Sequence, residues 1–263
     1  MLMFGFGFML RRGAPRCQDR AALVPLRAVN RVAGARGAPV ASRLVKETTV
    51  QETAANAPEA TGGSVPDIQP ASPEPARDLT GVMLTTGRLV LTAPSAADID
   101  AIYRFCQDPA IQRYTAVPSP YEYEHARDFV EKAVPGWAKE GSNAVFGFYH
   151  ATGGQLLGMV GLHGITGPQA KNGAMAEVGY WTAPEARRQG YTAEAVRAIC
   201  RWGLAELGLQ RIEWIAFDGN EASRAVALKA GFTLEGKLRS RFVHRGQRLD
   251  AWIGSLLPGD PIP

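Results

Sequence analysis

A chain of 263 residues is long enough for one large domain or two small ones, and its 46% hydrophobic share permits a sizeable core. The net charge of +4 is unevenly spread: residues 1–46 carry +8, residues 47–82 carry −5, and the remainder carries only +1. The basic balance is thus a property of the first third, which removes charge as a reason to expect nucleic-acid binding by the rest.

That first third is rich in Ala, Arg, Gly and Pro and shows no sustained apolar period, so residues 1–82 are expected to be a disordered extension. Its apolar start, Met1 to Leu10, is too short to span a bilayer as a helix, and its positive charges follow the apolar run where a secretory signal would place them first. No membrane association is expected. The Arg-rich, acid-poor composition suits a mitochondrial targeting segment; upstream sequence translated ahead of a start at Met83 is the preferred reading. The three cysteines, Cys17, Cys106 and Cys200, are odd in number and far apart, which suggests neither a disulfide framework nor a metal knuckle. The four histidines have no ligand spacing, so no metal is expected either. A reducing, cytoplasmic location fits.

From Met83 onward periodicity begins. Arg88–Thr92 reads as a strand, and Ser95 with Asp98 three residues on is a cap signature for a helix that places Ile99, Ile102 and Phe105 on one face. Pro118 to Pro120 makes a break, and 121–134 reads as a second helix. The runs 144–149 and 155–162 join through Gly153-Gly154 as a hairpin, and 176–182 completes an antiparallel set. Next come a helix over 192–207, with Val196, Ile199, Gly203, Leu204 and Leu207 at helical spacing, and a strand over 211–217. A helix over 221–230 ends at Gly231, and two last strands flank a turn at Arg245-Gly246. The predicted domain, 83–263, is α/β with a mixed sheet.

The chemically informative stretch, Thr182-Ala-Pro-Glu-Ala-Arg187-Arg188-Gln189-Gly190-Tyr191-Thr192, lies between a strand and a helix. Backbone N–H groups at such a junction converge with the positive end of the helix dipole and make a site for a pyrophosphate. Gly190 allows close approach, and Arg187 and Arg188 bring positive charge. Taken alone, an ordinary glycine turn capped by Thr192 accounts for the stretch equally well.

The surrounding motifs decide between these readings. Arg187-x-x-Gly190-x-Thr192 stands with Ala176-Glu177-Val178-Gly179-Tyr180-Trp181 before it. Asn220-x-x-Ser223, Lys229-x-Gly231-Phe232 and Glu235-Gly236-x-Leu238-Arg239 follow. In this order they resemble the GNAT superfamily of N-acetyltransferases, in the RimJ/RimL-like branch that acetylates ribosomal-protein N-termini, over about residues 83–257. Thr192 departs from the family's Gly/Ala at the last position of the phosphate motif.

The resemblance implies a GNAT-like fold with a mostly antiparallel central sheet flanked by helices, and acetyl-CoA as co-substrate. The strand ending at Tyr180, Trp181 and Thr182 is then expected to splay from its neighbour beginning at Arg211, leaving backbone groups free to pair with the amides of pantetheine. The cofactor-binding set is Tyr180, Trp181, Thr182, Arg187, Arg188, Gln189, Gly190, Tyr191, Thr192 and Asn220. Asn220 also has a simpler use as a helix cap. An amide near the end of the same strand would hold the developing oxyanion. Because an ammonium cannot attack, a carboxylate must take its proton, and Glu177 is the candidate. The bland reading pairs Glu177 with a cation across the sheet, and His163 on the preceding strand is a rival base. Many relatives place a tyrosine acid four residues before the Gly-Phe pair, where this chain has Ala227; the donor role passes to Ser223, or the thiolate leaves unprotonated.

The acceptor side is expected to be walled by Tyr114, Thr115 and Trp137 and by a basic hairpin with Arg239, Arg241, His244, Arg245 and Arg248. The expected acceptor is a protein or peptide N-terminal amine. A small-molecule amine and a non-catalytic acyl-CoA-binding module are the alternatives, and oligomeric state stays open, a homodimer included.

Overall fold

The computed structural model describes residues 77–263. The expected disordered extension falls, for residues 1–76, outside the described residues. Its last few residues do not behave as an extension: Leu79 is buried, its N–H donates to the Ala138 carbonyl at 2.8 Å, and the Thr80 N–H is bonded to the Asp78 carboxylate. An apolar side chain seated in a core marks residues 79–82, just ahead of Met83, as part of the fold.

The strands, in chain order, are β1 (Met83–Thr85), β2 (Leu89–Thr92), β3 (Asn143–His150), β4 (Leu156–His163), β5 (Met175–Thr182), β6 (Arg211–Phe217), β7 (Thr233–His244) and β8 (Gln247–Leu256). They form one sheet in the order β1-β2-β3-β4-β5-β6-β8-β7, antiparallel at every contact except β5 with β6. The mixed, mostly antiparallel sheet expected from the sequence is therefore present. The helices are α1 (Ile99–Phe105), α2 (Pro109–Tyr114), α3 (Tyr123–Asp128), α4 (Val134–Glu140), α5 (Tyr191–Ala205) and α6 (Glu221–Lys229). Neither β1 nor α2 was expected. The anticipated helix over 121–134 is instead α3, a π-helical turn over Phe129–Ala133, and α4. Pro135 has no N–H to donate, and the change of hydrogen-bond step just before it lets the helix continue past a residue that otherwise ends one.

Consecutive residues of β5 show which layer lies on which face. Thr182 meets Thr192 of α5 through their hydroxyls at 2.5 Å, whereas the Trp181 ring stacks edge-on to Phe105 of α1 at 6.1 Å. Because strand side chains alternate, α5 and α1 cover opposite faces. Val196, Ile199, Cys200 and Gly203 form the buried stripe of α5. Cys106 and Cys200 are both buried, which pushes the Cys106 thiol up to about 12 and raises that of Cys200 as well. At the expected final turn, Arg245 and Gly246 both have positive φ (49° and 78°), the geometry of a tight hairpin.

Gly158 on β4, opposite Thr182, shows how closely the sheet is built under the end of β5. A Cβ there would run into the Trp181 carbonyl oxygen and the Phe148 ring, and a backbone atom cannot swing aside. Gly158→Ala is expected to destabilise the fold by about 1–3 kcal/mol, read as a lower denaturant midpoint at unchanged slope. An unaltered midpoint would show that β4 and β5 have room to shift.

Candidate functional site

Strand β5 pairs with β6 over only three rungs, Met175↔Arg211, Ala176↔Ile212 and Glu177↔Glu213. Beyond Glu177 each strand keeps its antiparallel neighbour: β5 stays with β4 as far as Thr182, and β6 stays with β8 as far as Phe217. The two parallel strands therefore part, as the resemblance implied. The Ala183 N–H donates to the Leu157 carbonyl on the β4 side, and the Ala174 carbonyl accepts from Gln210 on the β6 side. Alternation from these two points turns the N–H and C=O groups of Val178, Tyr180 and Thr182 toward the gap. The Tyr180 and Trp181 side chains are themselves buried, so at this edge Tyr180 has only its backbone on offer, and the Trp181 backbone faces β4 instead.

The turn ahead of α5 lies at the end of β5. Arg188 and Gly190 both have positive φ (64° and 81°), which curls successive backbone N–H groups toward one point at the head of a fifteen-residue helix. A Cβ added at Gly190 would meet nothing closer than the Arg88 Nη2 at 3.6 Å, so the space above the glycine is open. That space and those amides suit a diphosphate. Arg187 is differently engaged from what was expected. Its guanidinium is 2.8 Å from Asp108, the N-cap of α2, and it also bonds the Thr182 carbonyl. Burial opposes ionisation of Asp108, but Arg187 and the Ile111 and Ala110 amides prevail and hold its carboxyl below the ordinary range. Arg187 thus ties the turn to α2, and its charge is largely spent there. Arg188 is exposed, and Gln189 donates to the Glu185 carbonyl. Thr192 is buried with its hydroxyl on Thr182, so this departure from the motif locks the helix start onto β5.

Arg88, passed over in the sequence, stands beside this turn. It is ion-paired with Glu194 of α5 at 2.6 Å, donates to the Gln189 carbonyl at 3.1 Å and lies 4.6 Å over the Tyr191 ring. Its only sequence signal was a basic residue opening a strand.

At the root of the gap a row of polar side chains crosses the sheet. His163 on β4 is in register with Glu177 on β5, Glu177 with Glu213 on β6, and Glu213 with Ser255 on β8. Burial, then the nearby Glu213 charge, raise the Glu177 carboxyl to about 8 against a smaller opposing effect of Arg241. Burial alone lowers His163 to about 3, which leaves its imidazole uncharged at neutral pH and weakens it as a rival proton acceptor. Arg211 Nε bonds Glu213 at 2.8 Å, while its two terminal nitrogens reach Glu235 at 2.9 and 2.6 Å. The Ser255 hydroxyl also bonds Glu235, and together with Arg211, the stronger influence, it holds that carboxyl down near 2. The sequence signal for this row was the pair Arg211-x-Glu213, charged at strand spacing in an otherwise apolar run.

On the other side of the gap, Asn220 caps α6 by accepting from the Ser223 N–H, the simpler of its two expected uses. The buried Ser223 hydroxyl accepts from the Trp214 indole at 3.0 Å and donates to the Tyr180 hydroxyl at 3.2 Å, and Tyr180 in turn donates to the Ser223 carbonyl. The structure thus joins Tyr180 and Ser223 into one hydroxyl pair.

Of the expected acceptor wall, Tyr114 meets Gly219 and Arg245 donates to the Gln112 carbonyl at 2.9 Å, which brings α2 to the tip of the β7–β8 hairpin. Thr115 turns inward, its hydroxyl bonded to the Ile111 carbonyl, and Trp137 stacks on Phe129 beside β3, two strands from β5. These two residues are not brought to the gap.

One parallel strand pair that parts beside a glycine turn at a helix head, within this strand order, defines an α/β acyltransferase fold of GNAT type. Residues 88–233 match the family model for the acetyltransferase (GNAT) domain, and the chain belongs to that family of acetyl-CoA-dependent N-acetyltransferases. The uncharacterised N-acetyltransferase YoaA of Bacillus subtilis is 29% identical over 175 residues, 66% of this chain and 96% of its own length. YdaF of the same organism, provisionally named a ribosomal N-acetyltransferase, is 38% identical over 104 residues, 40% of this chain and 55% of its own. Among solved structures, a Vibrio cholerae protein provisionally described as a ribosomal-protein-serine acetyltransferase aligns with TM-score 0.58 at 25% identity, covering 68% of this chain and 98% of its own. RimL, the ribosomal L7/L12 α-N-protein acetyltransferase solved with coenzyme A, shares the fold with TM-score 0.59 at 19% identity, over 67% and 98% of the two chains.

A carboxyl raised to about 8 holds its proton in the folded state at pH values where the unfolded chain has released it. The stability it contributes is complete below its ordinary value of 4.5 and is lost as pH rises through about 8. Glu177→Gln is therefore expected to melt close to the parent at pH 5 and to exceed it by about 4 kcal/mol at pH 9. Thermal melts at the two pH values check this; an equal difference at both would mean Glu177 is not desolvated.

Proposed function

We propose that this acetyltransferase acts on the N-terminal amine of a protein or peptide, with Glu177 as the group that takes the proton of the incoming ammonium. The observation that carries the reading is the position of Glu177 at the last rung of the β5–β6 pairing, where the gap opens. A base of ordinary carboxylate strength accepts a proton from an ammonium poorly; one raised to about 8 is a stronger acceptor once it is ionised, at mildly alkaline pH.

The turn over Arg187–Thr192 supplies backbone amides to the diphosphate of acetyl-CoA, with Gly190 giving access, Arg188 adding charge, and Gln189, Tyr191 and Thr192 shaping the helix head. The gap-facing amides and carbonyls of Val178, Tyr180 and Thr182 pair with pantetheine as an added strand would, and Asn220 holds the start of α6 beside it. Acetyl-CoA contributes an acetyl group already activated as a thioester. Glu177 takes one proton from the ammonium, the freed nitrogen bonds the acetyl carbon, and a gap-facing amide of β5 holds the carbonyl oxygen as it becomes negative. As the carbon–sulfur bond breaks, the new amide nitrogen releases its second proton and the departing sulfur takes one, a transfer assigned to the Ser223 hydroxyl, which gives a proton to sulfur and is replenished by the one that nitrogen releases. Ser223 must turn its hydroxyl from Tyr180 to give it.

A peptide acceptor is supported by the likeness to a relative named for ribosomal proteins and by the hairpin, where Arg239, Arg241, Arg245 and Arg248 are exposed beside α2. Such a surface favours an acceptor with acidic groups near its amine and disfavours polyamines.

Acetyl-CoA at a hundredfold its dissociation constant stabilises by about 2.7 kcal/mol, which for a domain of this size raises the melting midpoint by roughly 5–11 °C. Glu177→Gln is expected to keep that shift while losing about 100-fold in kcat. A panel of free-amine peptides, polyamines and amino acids assayed for released thiol tests the acceptor; turnover with polyamines and none with peptides would overturn the peptide reading.

A further inference from the structure

We infer that Glu213 is a positioning residue for the reaction, acting through Glu177 as the fixed negative charge that makes it a stronger base. The inference rests on the proposal that Glu177 is that base. Glu213 and Glu177 are register partners on adjacent parallel strands, so their side chains rise from the same face about 4.8 Å apart at the backbone. They form the last rung before the strands part, so nothing on β6 is paired with β5 closer to the gap.

What distinguishes Glu213 from an ordinary surface acid is the way it is held. A single guanidinium, Arg211, is shared between two carboxylates: Nε binds Glu213 at 2.8 Å, and both terminal nitrogens bind Glu235. The Ser255 hydroxyl, bonded to Glu235 at 2.6 Å, closes the group on β8. One cation against two anions leaves the cluster with a net charge of about −1, and Glu213 is its end nearest the gap. Arg211 thus fixes Glu213 in place without cancelling the charge that Glu177 feels.

The other charged or titratable groups on the strands around Glu177 do not supply this charge. His163 on β4 is uncharged at neutral pH, and Arg241 on β7 acts in the opposite sense. On the helical side, Asp108 at the head of α2 is committed to Arg187. Two acids side by side in a partly buried row make the second proton harder to lose, and a base that holds its proton more firmly takes it from an ammonium more readily.

Two readouts on the full chain test this. The first is a carbon-13 titration of glutamate carboxyls, with the Glu177 signal assigned by its loss in Glu177→Gln. The second is the acid limb of kcat/KM against pH, with acetyl-CoA and a synthetic hexapeptide bearing a free N-terminal amine. Glu213→Gln is expected to move both midpoints down by about one pH unit, with the acetyl-CoA melting shift unchanged. Glu235→Gln, which leaves Arg211 free to neutralise Glu213, should move them the same way by less; it carries the test alone should Glu213→Gln fail to fold. Midpoints unmoved in both variants, with the limb still absent in Glu177→Gln, would overturn the role of Glu213 and leave the base reading intact. A limb that persists in Glu177→Gln would overturn the base reading itself.

Discussion

Everything chemical in this domain depends on one pairing that stops early. Strands β5 and β6 are the only parallel neighbours in the sheet described, and they share three rungs before each follows its own antiparallel partner. Backbone amides left without a partner inside a protein carry a free-energy cost of about 1–3 kcal/mol each. A gap of this kind is therefore poorly satisfied by protein alone and well suited to a linear molecule with amides of its own. The same divergence leaves Glu177 at the last shared rung, while the Tyr180 and Ser223 hydroxyls stay buried and bonded to each other.

The gap does not stand free of the rest of the molecule. Arg187 joins the turn before α5 to the cap of α2, Thr192 joins the head of α5 to Thr182, and Arg88 joins β2 to the first turn of α5. Each contact fastens a different layer to the same few residues. Arg187, the motif position expected to greet phosphate with its side chain, serves as one of these fasteners. At the opposite end, Arg245 brings the β7–β8 hairpin to α2 and Tyr114 of α2 meets Gly219, so the element that Arg187 fastens also touches the loop before α6.

How much of this could be read in the sequence follows from how local each signal was. The cap at Ser95 and Asp98, the apolar stripe of α5, the final tight turn and the order of strands and helices were legible because each depends on residues a few positions apart. Glu177 and the Gly190 turn were legible through motifs whose order is characteristic. The links that organise the site were not. Arg187 finds Asp108 seventy-nine residues away and Arg88 finds Glu194 across a hundred and six, and no periodicity announces such partners. The row from His163 to Ser255 is a product of strand register, which exists only once the sheet is assembled. Helix α2 had a local signal, Asp108 followed by Pro109 in its first turn, which the reading of the sequence passed over. Strand β1, at three residues, had none.

The two buried cysteines acquire a meaning beside a thioester. Thiolates exchange readily with thioesters, and an enzyme that concentrates acetyl-CoA on its own surface exposes its thiols to self-modification at every encounter. Cys106, buried at the C-cap of α1, has its proton held to about 12, and Cys200 lies in the core stripe of α5, shielded and less acidic than a free thiol. Among the described residues both cysteine thiols are buried away from the donor, so the acetyl group has an amine as its open destination.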